Sequence, residues 1–95
     1  MTALWIARVD VHDAENYARY AEVASEVIPA HGGTFLARGG RVVQLEGEGR
    51  TRNVVARFPS VEAAEAAYND PRYQAAVEIA TNAATRDVMV VEIND

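Results

Sequence analysis

Two histidines and nine basic residues carry most of the chemistry open to this 95-residue chain. It has no cysteine, and every basic residue is an arginine. Thiolate nucleophiles and cysteine-held metals are therefore excluded, as are Schiff-base and P-loop chemistry, which need an amine. His31, in Pro29-Ala30-His31-Gly32-Gly33, is the candidate general acid or base, because a free imidazole titrates at about 6.5. At a helix C-terminus it could equally serve as a cap or a dipole partner. Arg8 and Arg57 each fall near the C-terminal end of a strand expected at the sheet centre. If those strands are parallel neighbours, the two guanidinium groups can clamp an anion. Internal pairing with Asp10, Glu46 or Glu92 is the alternative. Arg38 and Arg41 flank Gly39-Gly40, where they could reach a ligand carboxylate or a partner, or else guard a sheet edge against aggregation. Tyr17, Tyr20, Tyr68 and Tyr73 follow helical apolar stripes, as core and interface residues do; Tyr68 is the candidate pocket wall. His12 with Asp10 or Asp13 lacks a third nearby metal ligand. No metal or other cofactor is expected.

The elements that must hold these residues can be read in order. Leu4–Val11 alternates as a strand, with Trp5, Ala7 and Val9 on one face and Leu4, Ile6, Arg8 and Asp10 on the other. Asp13 caps a helix carrying Tyr17, Tyr20, Ala24 and Val27 at helical spacing, and Pro29 should end it near Ile28. Thr34–Arg38 is a second strand. Gly39-Gly40 then either turns a hairpin into Arg41–Glu46 or bulges one long strand; both readings stay open. Asn53–Phe58 is a strand with Val54, Ala56 and Phe58 on one face, stopped by Pro59. Ser60 caps an alanine-rich helix, and Asp70 with Pro71 restarts it after a break. Thr85-Arg86-Asp87 reads as a turn before the last strand, Val88–Ile93.

The order β-α-β-β-α-β points to an α+β, ferredoxin-like sandwich: an antiparallel sheet with helices on one face. Residues 1–95 make a single domain. Net charge is −5, which opposes a nucleic-acid partner. No apolar run reaches the roughly 20 residues of a membrane span, and the first residues lack the pattern of a secretory signal. A cytoplasmic location and no membrane partner are the expectations.

Taken together, WIARVDV, Tyr17 in a helix, HGGTFLARGG, LEGE, FPS, AAYNDPRYQAA and the closing VVEI resemble domain-of-unknown-function family 1330. The resemblance runs from about Leu4 to Ile93. It implies the dimeric α/β-barrel superfamily, in which two ferredoxin-like sheets face each other across a two-fold axis. Relatives there include cofactor-free oxygenases of polyketide quinols, muconolactone isomerase, haem enzymes and stress-induced proteins. A homodimer also makes physical sense, because helices on one side leave the other sheet face bare.

The functional expectation is an uncharacterised homodimeric barrel that binds or converts a small, anionic organic molecule without a cofactor. Any enzyme activity would be monooxygenase- or isomerase-like. His31 would act as acid or base, with Arg8, Arg38, Arg57 and Tyr68 binding substrate. The alternative is a non-catalytic stress or interaction protein with a packed barrel interior.

Overall fold

A computed structural model describes Met1–Asp95. Its elements are β1 (Ala3–Val11), α1 (Ala14–Ala30), β2 (Thr34–Arg38), β3 (Arg52–Phe58), α2 (Val61–Tyr68), α3 (Pro71–Ala83) and β4 (Ala84–Glu92). The strands form one antiparallel sheet in the order β2-β3-β1-β4. This is the expected α+β, ferredoxin-like layout, with the second helix divided in two. No helix is long and apolar enough to cross a membrane.

The caps act where the side chains dictate. Asp13 accepts the Asn16 amide at 3.1 Å, Ser60 that of Ala63 at 3.0 Å and Asp70 that of Arg72 at 2.9 Å. Each satisfies an amide that the first helical turn leaves unpaired. Helix α1 runs two residues beyond the expected end, with Pro29 inside its last turn. Main-chain bonds from His31, Gly32 and Gly33 back to Ile28 and Pro29 close that turn, and Gly32 takes φ +86° to make them.

Two expectations about the chain path are corrected. Gly39-Gly40 makes neither a hairpin nor a bulge in a long strand. Strand β2 stops at Arg38, and its irregularity lies between Phe35 and Ala37. Gly39 then departs with φ +76°, and residues 40–50 leave the sheet without regular secondary structure. Thr85-Arg86-Asp87 is not a turn. The Ala83 carbonyl accepts the His12 and Asp13 amides at 3.0 and 3.1 Å, and Ala84 is already extended opposite Val11.

Alternation sorts the sheet into two unlike faces. Trp5, Ala7, Val9, Val54, Ala56 and Phe58 are buried beneath the helices, and Tyr17, Tyr20, Val27, Ile28, Tyr73 and the alanines of α2 and α3 close over them. Alanine lets α2 and α3 lie close to the strands, and the large aromatics fill the space between. The opposite face carries Leu4, Ile6 and Val55 half-buried, and Met89 and Val91 exposed. No layer of this chain covers it, and the molecule measures 35 × 35 × 16 Å.

Candidate functional site

The sequence candidates do not converge. Strands β1 and β3 are antiparallel, because the split βαβ path inserts β3 between β1 and β2 with reversed direction. Arg8 consequently stands opposite Asn53, while Arg57 stands opposite Leu4. Four residues of extended chain, about 13 Å, separate them, and the clamp drawn from parallel neighbours is ruled out. Both lie on the open face. Arg57 reaches Asp95 at 4.0 Å, and Arg8 makes no ion pair. Asp10, a proposed partner for these arginines, is held instead by Arg50 at 3.1 Å and by the Thr51 amide at 2.9 Å. The Thr51 amide and Arg50 keep its carboxyl below the usual carboxylate range.

Arg38 turns to the helical side. It donates to the Ala21 carbonyl at 3.1 Å and the Ser25 hydroxyl at 2.6 Å, and it stacks on the Phe35 ring at 4.2 Å. His31 Nε2 lies 2.9 Å from Asp70 Oδ2 and ties the end of α1 to the start of α3. Asp70 also receives the Arg72 guanidinium. Arg72 first, then His31, hold its carboxyl well below the usual range. None of His31, Arg8, Arg38 and Arg57 lines the cavity beside β4; Tyr68 does.

That cavity, about 480 Å³, lies on the helical side of β4. Trp5, Val88 and Val90 form its sheet wall; Tyr68, Val77 and Thr81 come from the helices. It exists because β4 is an edge strand that the small side chains of α2 and α3 only partly cover. Its size suits a drug-sized or smaller organic molecule. Trp5, 1% exposed, meets Tyr73 edge-on at 5.4 Å and Tyr68 at 6.0 Å. Glu65, Asn69 and Thr81 add polar groups.

Arg86 is the charged group of the sheet wall. It donates to the Tyr73 hydroxyl at 3.2 Å and the Tyr17 hydroxyl at 3.4 Å, and it lies over the Tyr20 ring at 4.5 Å. Tyr20 and Tyr73 join their hydroxyls at 2.6 Å. No carboxylate pairs with this cation. Burial alone would pull the Arg86 pKa down, but the Tyr20 and Tyr73 oxygens hold it up, so the guanidinium stays charged. Burial pushes the Tyr17 and Tyr73 phenols up, so they stay protonated near neutral pH. The cluster therefore has many donors and few acceptors. On the same face Arg52 stands opposite Val9, whose other neighbour is Arg86; its Nε–H is buried without an acceptor. An oxygen anion or carbonyl is what such a cluster can receive.

Sequence reasoning missed Arg86 by reading Thr85–Asp87 as a turn. The available signal was alternation: Arg86, Val88 and Val90 share one face of β4.

The chain belongs to the family described as domain of unknown function (DUF1330), whose model matches residues 2–94. It is similar in fold to several solved structures. One is the RPA0582 protein of unknown function from Rhodopseudomonas palustris, at 23% identity and TM-score 0.79, covering 99% of this chain and 83% of that one. Another is a dimeric ferredoxin-like protein of unknown function from Jannaschia sp. CCS1, at 13% identity and TM-score 0.79, covering 98% and 100%. A third is SnoaB, a cofactor-independent oxygenase from Streptomyces nogalater, at 14% identity and TM-score 0.69, covering 99% and 94%. No curated protein matches significantly.

Proposed function

We propose that the protein is a homodimeric barrel that binds a small, flat organic molecule in the cavity beside β4, and that it converts this molecule, if at all, without a cofactor. The observation that carries the reading is Arg86, a partly buried cation facing an aromatic cavity, bonded to phenols and paired with no carboxylate. A ligand oxygen bearing negative charge would complete its shell, while Trp5 and Tyr68 offer ring faces. Neutral phenols at Tyr17 and Tyr73 donate or accept but do not add opposing charge. The fold shared with a cofactor-independent oxygenase motivates the converting half of the reading by analogy alone.

One observation favours binding without turnover. His31 is engaged with Asp70 outside the cavity, and Glu65 is the only carboxylate among the lining residues. A non-catalytic role is the second reading, and turnover assays on any ligand found separate the two.

Trp5 is the only tryptophan, so its emission reports on the cavity directly. Titration with phenols, quinols and aromatic carboxylates should shift that emission and raise Tm for at least one class. Arg86→Met should weaken such binding about 10–100-fold, the worth of a charged hydrogen bond. If no compound moves either signal, the binding reading is wrong. If Arg86→Met binds equally well, Arg86 is not the recognition group.

A further inference from the structure

Three arginines reach the helical side of the sheet, and two of them are provided for. Arg38 has a carbonyl, a hydroxyl and the Phe35 ring, and Arg86 has two phenols and the Tyr20 ring. Arg52 begins β3 and follows its alternation onto the face of Val54, Ala56 and Phe58. It is half-buried, it pairs with no carboxylate, and its Nε–H is buried without an acceptor. Asp10, which follows the Val9 that Arg52 stands opposite, is held by Arg50 and the Thr51 amide. Asp13, at the head of α1, commits both oxygens to Asn16. A guanidinium partly withdrawn from water with no counter-charge is costly to keep.

Arg52 is the sole charged group lining a groove of about 480 Å³ between α1 and the start of β3. Val11, Ala14, Ala18 and Ala21 give the groove apolar walls, and it shares no residue with the cavity beside β4. Gly39 lies on its rim. The Gly39 amide donates to the Asn53 carbonyl at 3.0 Å, and a Cβ there would fall on the guanidinium, 3.1 Å from Arg52 Cζ. The glycine thus keeps space for the Arg52 head where a side chain would displace it.

We propose that this groove is a second binding site, and that it takes a small monocarboxylate with a short aliphatic body. The planar guanidinium matches the two oxygens of a carboxylate, and the alanine and valine walls suit a short hydrocarbon chain. A phosphate dianion would bring a second charge that the groove has no cation to meet. Binding there supplies the counter-charge that Arg52 lacks, whatever the cavity beside β4 holds.

Magnetic resonance titration of the nitrogen-labelled wild-type chain with hexanoate, up to about 10 mM, tests this. Hexanoate should move the Arg52 side-chain Nε–H and the Ala18 and Gly39 amides saturably. Arg52→Met should weaken binding at least about tenfold, the loss of one charged hydrogen bond. Ala18→Glu, at an exposed position of the groove wall, should weaken it as much, by repelling the carboxylate or taking Arg52 for itself. That variant serves if Arg52→Met fails to fold. Equal affinity for hexanol would overturn the recognition of charge, and phosphate bound as tightly as hexanoate would overturn the carboxylate. Shifts confined to Thr81 and Val88 would place the ligand in the cavity beside β4 and overturn the second site, as would no shift at all.

Discussion

At the scale of single residues, the histidine that looked most suited to chemistry performs a joint. Asp70 accepts the Arg72 amide at 2.9 Å and its guanidinium at 3.0 and 3.2 Å, and it meets His31 at 2.9 Å. These partners favour the carboxylate and lower its pKa. A group whose folded pKa is depressed stabilises the fold fully above its unfolded value. The contribution disappears as pH falls from that value towards the folded one. Asp70→Asn keeps an oxygen for the cap but cannot titrate. Its Tm should lie below wild type at neutral and mildly acid pH, and the gap should begin to narrow below about pH 4, near the unfolded carboxyl value, and go on narrowing as pH falls towards the folded one. Thermal melts across pH check this; an unchanged gap at pH 3 would sink the assignment. His31 was legible as a helix-end residue, and its partner was not, because the contact joins positions 39 residues apart. Arg86 was missed differently, by reading Thr85–Asp87 as a turn; alternation places it on the helical face but does not name its partners. Its burial among Tyr17, Tyr20 and Tyr73 comes from packing that no local pattern encodes.

At the scale of elements, local chemistry was largely legible. Asp13, Ser60 and Asp70 announce helix starts through the oxygen they offer, and alternation sorts the faces of β1 and β3 correctly. Legibility failed where tertiary contacts decide, at Ala84 and at Gly39-Gly40. A run such as Arg41–Glu46 has strand propensity whether or not an edge is within reach. Two glycines show how unequal the punctuation is. A Cβ on Gly33 would lie 2.6 Å from Ile28 Cγ2, 2.8 Å from Phe58 Cζ and 2.9 Å from the Ile28 carbonyl, whereas one on Gly40 meets nothing. The close approach of Gly33 lets α1 hand over to β2 directly above the core. Gly33→Ala should cost about 1–3 kcal/mol as an overpacked site, lowering Tm by about 5–15 °C. Gly40→Ala should change stability by less than about 0.5 kcal/mol. Comparable melting shifts for the two would show that conformational freedom, and not the close approach, governs Gly33.

At the scale of the molecule, the balance between the two sheet faces governs what the fold can do. One face is covered by helices and holds the cavity. The other presents the row Val55–Ile6–Met89, one residue from each of three adjacent strands. Leu4 and Val91 extend it on one side, and Arg8 between Asn53 and Asp87 bounds it on the other. An apolar centre with a charged border is how a protein interface is built, and a two-fold axis can cover such a face with its own copy. Ile6 sits at the middle of that row, so a carboxylate there would be buried among apolar side chains when a second copy covers this face. A charge taken into a drying interface without a counter-charge costs far more than it does in water. Ile6→Glu should therefore leave the monomer folded, because the side chain faces away from the helical core, while weakening dimerisation by more than about a hundredfold. Sedimentation equilibrium gives the dissociation constant, and far-ultraviolet circular dichroism checks the fold. The homodimer reading requires wild type to be dimeric and the variant monomeric at the same micromolar concentration. A variant that dimerises as tightly as wild type would place the subunit contact on some other surface. The exposed row across β3, β1 and β4 would then need a different occupant.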